Sequence, residues 1–214
     1  MHINLSDTNS IANRYLFEMR DTSLQTDRQR FRNNMKRLGS IMAYEISKKI
    51  GYRKDIAHTP LGQAEIQVPG EHPVLVSILR AGIPFYSGFQ EVFDQSDAGF
   101  IGAYRQEDGR DLTIKLEYSA TPQVAGKTVI VIDPMLATGK SAIDAVNALC
   151  RNGLPSHLHL ACMVAAPEGL KYVTERLSVP NTIWSFAVDE KLDERSYIVP
   201  GLGDAGDLSF GNRI

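Results

Sequence analysis

The stretch "TVIVIDPMLATGKSA", residues 128–142, decides the fold of this chain. It opens with five apolar or β-branched residues, as expected of a strand that is covered on both faces of a sheet. A turn of small residues follows, and a helix is predicted over 139–151 with Gly153 as its stop signal. The apolar stripe of that helix consists of Ile143, Val146, Leu149 and Cys150. A strand, a tight turn and a helix in this order predict one unit of an α/β fold.

Other apolar runs of strand length lie on either side of this unit. They are "VLVSIL" (74–79), "GFIGAY" (99–104), "LHLACMVAA" (158–166) and "TIWSFAV" (182–188). Helical patterns separate several of these runs, which predicts a doubly wound, mainly parallel sheet flanked by helices. The segment "LTIKLEY" (112–118) alternates apolar and polar residues instead, and therefore predicts a half-exposed strand in a β-arm or flap.

Two helices are predicted before the first of these strands. Residues 27–50 carry an apolar stripe, Thr26 with Gln29 resembles a capping box, and Gly51 is a stop signal. The stripe consists of Phe31, Met35, Leu38, Met42, Ile46 and Ile50. A shorter helix is predicted over 8–20, with Ile11, Tyr15 and Met19 on one face.

The organisation predicted for the 214 residues is a single domain. We expect N-terminal helices at about 8–50, a core at about 70–190, a β-arm at about 106–120 and an ordered, glycine-rich C-terminal loop at 197–207. We see no internal repeat and no interdomain linker.

Composition excludes several classes of function. Lys and Arg total 23 against 25 Asp and Glu, a formal net charge of -2, which argues against a broadly basic nucleic-acid surface. No apolar segment reaches the roughly 20 residues that span a membrane, and no signal peptide opens the chain. Cys150 and Cys162 have no metal-type spacing and fall in apolar stretches, as expected of buried, reduced thiols in the cytoplasm. His157 and His159 are too few to form a zinc site.

The residues Gly139-Lys140-Ser141 look like the end of an ATP-binding P-loop. The first glycine of that motif is replaced by Pro134, however, and proline cannot adopt the backbone conformation that wraps a β-phosphate. The turn from Ala137 to Ser141 offers backbone N–H groups, two hydroxyls and a helix N-terminus to one phosphate. Asp133 is better placed for sugar hydroxyls, and together these features describe a site for a ribose 5-phosphate.

The segments that carry these residues resemble the phosphoribosyltransferases, in particular the uracil phosphoribosyltransferases. The similar segments, in the same order as in that family, are "ILRAG" (78–82), "AYR" (103–105), "VIDPMLATGKS" (131–141), "AAPEG" (165–169) and "YIVPGLGDAGD" (197–207). The resemblance implies a type I phosphoribosyltransferase fold and the conversion of uracil and phosphoribosyl pyrophosphate to UMP and pyrophosphate, with magnesium, in pyrimidine salvage. It also implies a homodimer or larger homo-oligomer. Some members of the family are activated by GTP, but no stretch of this sequence indicates a GTP site.

Site residues follow from the residue types and from the resemblance together. Arg80 and Arg105 each end an apolar strand, and two guanidinium groups at neighbouring strand ends would clamp a pyrophosphate. The resemblance implies that the donor is bound by Arg80, Arg105, Asp133, Pro134, Met135, Leu136, Ala137, Thr138, Gly139, Lys140, Ser141 and Asp204. It implies that uracil is bound by Ile198, Gly203, Asp204 and Ala205.

The resemblance also implies the catalytic residues, which are Arg105, Asp133 and Asp204. Asp204 is expected to reach magnesium through water. Peptide groups of the glycine loop suit uracil, because an N–H that faces O4 would reject the amino group of cytosine. Residues 106–118, with Gly109, are a candidate lid over the reacting centre.

Two features depart from the family pattern. Lys140 stands where the family has a small residue, so its side chain either points to solvent or adds charge to phosphate binding. The segment "QEDGRD" after Arg105 also differs from the family loop. Three other functions stay open: a phosphoribosyltransferase for a purine or orotate, a regulator that binds nucleotides or RNA without turnover, and a P-loop kinase.

Overall fold

The structure is a computed structural model that describes residues 1–108, 111–151 and 153–212, with side chains described outside 103–117. The helices, numbered in chain order, are α1 (Ile11–Arg20), α2 (Arg28–Ser47), α3 (Gly82–Val92), α4 (Lys140–Cys150), α5 (Pro167–Arg176) and α6 (Ala205–Phe210). The strands are β1 (His2–Asn4), β2 (Tyr52–Thr59), β3 (Gly62–Pro69), β4 (Val74–Leu79), β5 (Ala98–Asp108), β6 (Asp111–Ala120), β7 (Thr128–Ile132), β8 (Met135–Leu136), β9 (His157–Ala161), β10 (Val164–Ala165), β11 (Asn181–Ser185), β12 (Ala187–Val188), β13 (Lys191–Leu192) and β14 (Ile198–Val199).

A central sheet with the strand order β1-β11-β9-β7-β4-β5-β6 confirms the predicted fold class. Its pairs are parallel except β5 with β6, an antiparallel pair that includes the segment predicted as a β-arm or flap. Successive side chains of a strand point to opposite faces, so an unbroken apolar run requires helices on both faces. Leu75 and Ile130 pack among residues of α1–α3, whereas Val76 and Val131 pack among residues of α4 and α5.

The two N-terminal helices are confirmed, with two corrections. Every residue of the predicted stripe of α2 is buried. The helix is capped by Asp27, whose Oδ1 accepts the N–H of Arg30 at 3.0 Å, so the predicted capping box of Thr26 and Gln29 is wrong. In α1 the buried face consists of Ala12, Leu16 and Met19, while Ile11 is 60 % exposed. Met19 of the predicted face is thus confirmed and Tyr15 packs partly buried against the core, but Ile11, the first helical residue after the N-cap Ser10, does not belong to that face.

The runs 158–166 and 182–188 were each predicted as one strand, and both are broken. The first separates into β9 and β10 and the second into β11 and β12. The break arises where Met163 and Val164 both direct their N–H groups to the carbonyl of Pro134, at 2.9 and 3.2 Å. The residues after each break, β10 and β12, join β8 in a second, three-stranded parallel sheet of the order β12-β10-β8. Its strand β8 lies within the turn after β7.

The hairpin of β2 and β3 was not predicted from the sequence. Its strands pair antiparallel from Tyr52↔Pro69 to Thr59↔Gly62, and almost all of its residues are exposed. Charged residues interrupt its alternation, so no apolar run marks it. Cys162 is buried as predicted, but Cys150 is only partly buried, and both are free thiols. No described helix is long and apolar enough to cross a membrane.

Candidate functional site

The turn from Asp133 to Ser141, called the phosphate loop below, connects β7 to α4 at the carboxyl edge of the central sheet. Gly139 is the residue before α4 and has φ 77°, a left-handed conformation that glycine adopts without strain. The N–H of Lys140 lies 3.4 Å from Oγ1 of Thr138, while the lysine itself is exposed. Of the two alternatives for Lys140, the structure therefore favours a side chain that points to solvent.

The first turn of α5 supports the phosphate loop from behind. A Cβ atom on Gly169 would lie 2.3 Å from the carbonyl oxygen of Ala137 and 2.7 Å from that of Leu136. A Cβ on Gly139 would in turn lie 2.9 Å from the carbonyl oxygen of Gly169. Real Cβ contacts are not this short, so the two backbones touch only because both residues are glycine. The motif "AAPEG" thus has a structural reason that the sequence analysis did not find.

Asp133 lies half-buried at the start of the loop. Its N–H donates to the carbonyl of Ala161 at 3.0 Å, and its Oδ1 lies 3.4 Å from the N–H of Met135. Burial, and then the negative charge of Asp133, raise the pKa of the neighbouring Cys162 thiol. Cys162 is therefore a neutral packing residue rather than a nucleophile.

Arg80, directly after β4, reaches across to the C-terminal segment. Its Nη2 donates to Oδ1 of Asp207 at 2.6 Å and to the carbonyl of Gly211 at 2.9 Å, and Asp207 forms an ion pair with it. Its Nε is buried and has no hydrogen-bond partner among the described residues. The arginine that was predicted to bind pyrophosphate is thus held against the segment that was predicted to bind the base.

The segment 197–207, called the base loop below, contains β14 and the first turn of α6. Ile198 is buried and pairs with Leu192, whereas Gly203 is exposed with φ 92°. Asp204 is exposed, and its Oδ1 accepts the N–H of Asp207 at 2.9 Å as the cap of α6. Ala205 behind it is buried. A cavity of about 370 Å³ opens here, lined by Gln25, Thr26, Arg28, Gly203, Asp204, Asp207, Leu208 and Asn212.

Gly206 shows how closely two of the predicted groups approach each other. A Cβ placed on it would lie 3.1 Å from Oδ1 of Asp204 and 3.5 Å from Nε of Arg80. The structure therefore brings together Arg80 and Asp204, which are 124 positions apart along the chain. Arg105 follows on β5, opposite Ile114 of β6, and its side chain lies outside the described part. Of the predicted lid, the backbone forms the β5–β6 hairpin and Gly109 lies outside the described residues.

The oxygen donors of the base loop fit magnesium better than a softer metal. Mg²⁺ prefers one or two carboxylates together with water and substrate phosphates. The carboxylate of Asp204 meets that description, since it is exposed at the rim of the cavity. Among the side chains that the structure describes, no three His, Cys, Asp or Glu residues are grouped as metal ligands. His157 and His159 therefore belong to no such group.

Sequence reasoning missed several residues around the base loop. Arg20 and Asp189 form an ion pair at 2.7 Å, and both contact the backbone of Gly201. Glu168 accepts the N–H of Leu192 at 3.1 Å, and so connects α5 to the strand that pairs with β14. Such pairs join residues that are distant in sequence and leave no periodic signal.

Comparisons with known proteins agree with the resemblance. The family model described as uracil phosphoribosyltransferase matches residues 7–212. A uracil phosphoribosyltransferase of Porphyromonas gingivalis is 46% identical over 213 residues, 99% of each chain. The solved AQ2163 protein of Aquifex aeolicus is 32% identical, with a TM-score of 0.89 over 99% of this chain and 98% of that one. A hypoxanthine phosphoribosyltransferase of Staphylococcus aureus, 13% identical with a TM-score of 0.50 over 78% of this chain and 83% of its own, shares the fold alone.

Proposed function

The chain belongs to the uracil phosphoribosyltransferase family, and on that premise we propose how its residues transfer a 5-phosphoribosyl group. The reaction joins N1 of uracil to C1 of the ribose of phosphoribosyl pyrophosphate and gives UMP and pyrophosphate. It is a pentosyl transfer of pyrimidine salvage. Two observations support the assignment of residues. The structure places Arg80 and Asp204 close to each other at Gly206, and the family model matches residues 7–212.

The phosphate loop binds the 5-phosphate of the donor. The turn from Ala137 to Ser141 supplies N–H groups and hydroxyls, and α4, with 11 residues, adds the partial positive charge of its N-terminus. Asp133 accepts hydrogen bonds from ribose hydroxyls. Pro134, Met135 and Leu136 contribute backbone only, because β8 and the contacts of Pro134 fix their positions.

The leaving pyrophosphate is stabilised by Arg80 and Arg105, which supply positive charge where negative charge develops. Asp204 would hold Mg²⁺ through water, and the bound ion would neutralise further charge on the leaving group. Cleavage of the C1–oxygen bond leaves positive charge on the ribose ring, and the paired strands β5 and β6 are the candidate lid that keeps water away from it.

The base loop recognises uracil through peptide groups. Gly203 and Asp204 line the cavity and offer N–H and C=O groups to the base, whereas Ile198 and Ala205 are buried and fix the position of the loop. Fixing the base and the 5-phosphate at the same time holds N1 near C1, and such orientation contributes several kcal/mol to lowering the barrier. A site that is built to hydrogen-bond O4 discriminates strongly against cytosine.

The organisation of the molecule is part of the same proposal. Residues 1–214 form a single phosphoribosyltransferase domain, supported by one apolar cluster that extends from Ala12 to Ala205. The protein acts as a homodimer or larger homo-oligomer, as the resemblance implies. Its two free thiols, Cys150 and Cys162, suit a reducing cytoplasm.

The test is to incubate the protein with phosphoribosyl pyrophosphate, Mg²⁺ and one base at a time, and to measure nucleotide and pyrophosphate. UMP formed from uracil, with no product from hypoxanthine, orotate or cytosine, is the expected result. Product from hypoxanthine or orotate in place of uracil would assign the chain to another substrate. RNA binding without turnover of any base would favour a regulatory protein.

A further inference from the structure

We propose that Arg20 and Asp189 are positioning residues for uracil: their ion pair holds the base loop at a fixed distance from the phosphate loop. The inference rests on the proposed function, since it concerns the same two loops. Neither residue belongs to the predicted site, and neither lies in the phosphate loop or the base loop. Their role is to act through Gly201, at the centre of the base loop.

The pair holds both backbone groups of Gly201. Asp189 accepts the N–H of Gly201 at Oδ2 over 2.7 Å, and Nη1 of Arg20 donates to the carbonyl of Gly201 over 2.9 Å. The two side chains also bind each other in a fork, with Nη1–Oδ2 2.8 Å and Nη2–Oδ1 2.7 Å. Asp189 is only 7% exposed and Arg20 23%. Charged, two-pronged hydrogen bonds of this kind are stronger and more directional than neutral ones.

Asp189 is tied to the phosphate loop through backbone hydrogen bonds. The sheet β12-β10-β8 begins in the phosphate loop with Met135 and Leu136, continues through β10, and ends with β12. Asp189 is the next residue after β12, and its N–H donates to the carbonyl of Ala165 at 2.9 Å. The residue that holds Gly201 is therefore anchored to the same small sheet that includes the phosphate loop.

Arg20 anchors the other side of the base loop. It is the last residue of α1, and its carbonyl oxygen accepts a hydrogen bond from Nε2 of Gln25 at 3.0 Å. Gln25 lines the cavity at the base loop, and a Cβ placed on Gly203 would lie 3.9 Å from its Oε1. Arg20 thus contacts the base loop through its side chain and a residue that lines the cavity through its backbone.

Loss of the pair should affect the two substrates unequally. The residues assigned to the 5-phosphate stay supported by Gly169 and by β8, which do not depend on the pair. Gly201 loses both of its side-chain partners, and the base loop then samples positions in which uracil is misaligned. We therefore expect a selective rise in the KM for uracil, whereas a merely stabilising ion pair would lower the amount of folded enzyme without separating the two KM values.

The experiment compares Arg20→Lys and Asp189→Asn with the wild type in UMP formation, with each substrate varied in turn. Arg20→Lys keeps the charge but loses the fork, and Asp189→Asn keeps the shape but loses the charge. We expect the KM for uracil to rise about ten-fold or more, and the KM for the donor, whose 5-phosphate is bound outside the base loop, to rise by a several-fold smaller factor. Asp97→Asn is the control, because it breaks the 2.9 Å ion pair with Lys127 at the amino-terminal edge of the sheet, and it should change neither KM.

Equal rises in both KM values, or normal kinetics in both variants, would overturn the inference. Circular dichroism measures whether the variants fold. Loss of folded protein in both variants would also overturn the inference, because the pair would then be a general stabiliser. If Asp189→Asn alone fails to fold, Arg20→Lys decides. A wild type that forms no UMP refutes the proposed function instead, so the two failures are distinguishable.

Discussion

Replacing Gly169 by Ala tests whether the contact between α5 and the phosphate loop matters for binding the donor. The new Cβ would lie 2.3 Å from the carbonyl oxygen of Ala137, about 1.1 Å short of the 3.4 Å at which ordinary contact begins. The obstacle is backbone rather than a flexible side chain, so either the loop or the helix must move by about that distance. A displacement of about 1 Å in a positioning element costs on the order of 100-fold in rate.

The stability of the variant should change much less than its activity. Overpacking costs about 1–3 kcal/mol. Alanine in place of glycine inside a helix gains about 1 kcal/mol. The net change in the free energy of unfolding is therefore about 0–2 kcal/mol, and the enzyme should stay folded at 25 °C.

The assay is initial-rate UMP formation at saturating uracil, with the donor varied. We expect kcat/KM for the donor to fall by about 100-fold. The free energy of unfolding, measured by urea denaturation, should fall only modestly. Gly51→Ala is the matched control, because a Cβ at that position meets nothing within 4 Å. A Gly169→Ala enzyme whose kcat/KM is within about two-fold of wild type would refute the reasoning, because the loop would then tolerate the displacement.

Three further predictions concern other parts of the molecule. Arg105→Ala should lose about 100-fold or more of turnover while its circular dichroism stays unchanged; normal kinetics would identify Arg105 as a surface residue. Asp204→Ser should keep a side-chain acceptor for the N–H of Asp207 but lose the carboxylate, so turnover should fall with little change in the free energy of unfolding. Asp204→Ala should lose turnover and also about 1 kcal/mol of the free energy of unfolding. Burial, and then the charge of His157, lower the pKa of His159 from 6.5 to about 4, so the unfolded chain binds the proton first and the free energy of unfolding should fall by up to about 3 kcal/mol between pH 6.5 and pH 4. Urea unfolding at several pH values measures this fall, and His159→Gln should flatten it; an unchanged slope in that variant would assign the acid sensitivity elsewhere.

The framework of the fold was predictable because its strands are apolar throughout. β4 and β7 have the predicted bounds, since a strand that is buried on both faces leaves an unbroken run in the sequence. The hairpin of β2 and β3 was missed because its exposed strands carry no such run. The breaks between β9 and β10 and between β11 and β12 were missed for the opposite reason, since the apolar run continues through both of them.

The candidate site was predictable only where its residues follow one another in the chain. The phosphate loop has its strand, turn and helix within residues 128–151, so local patterns were enough to predict these three elements. The partners of Arg80 were not identified, because Asp207 lies 127 positions later and a charge in a loop has no periodicity. The same holds for Arg20 and Asp189, 169 positions apart. Local chemistry in a sequence thus indicates candidate ligand groups, whereas the residues that hold these groups in place are determined by the fold. In this chain we therefore look for positioning residues in the contacts of Gly201 and Gly169 rather than in the ligand motifs themselves.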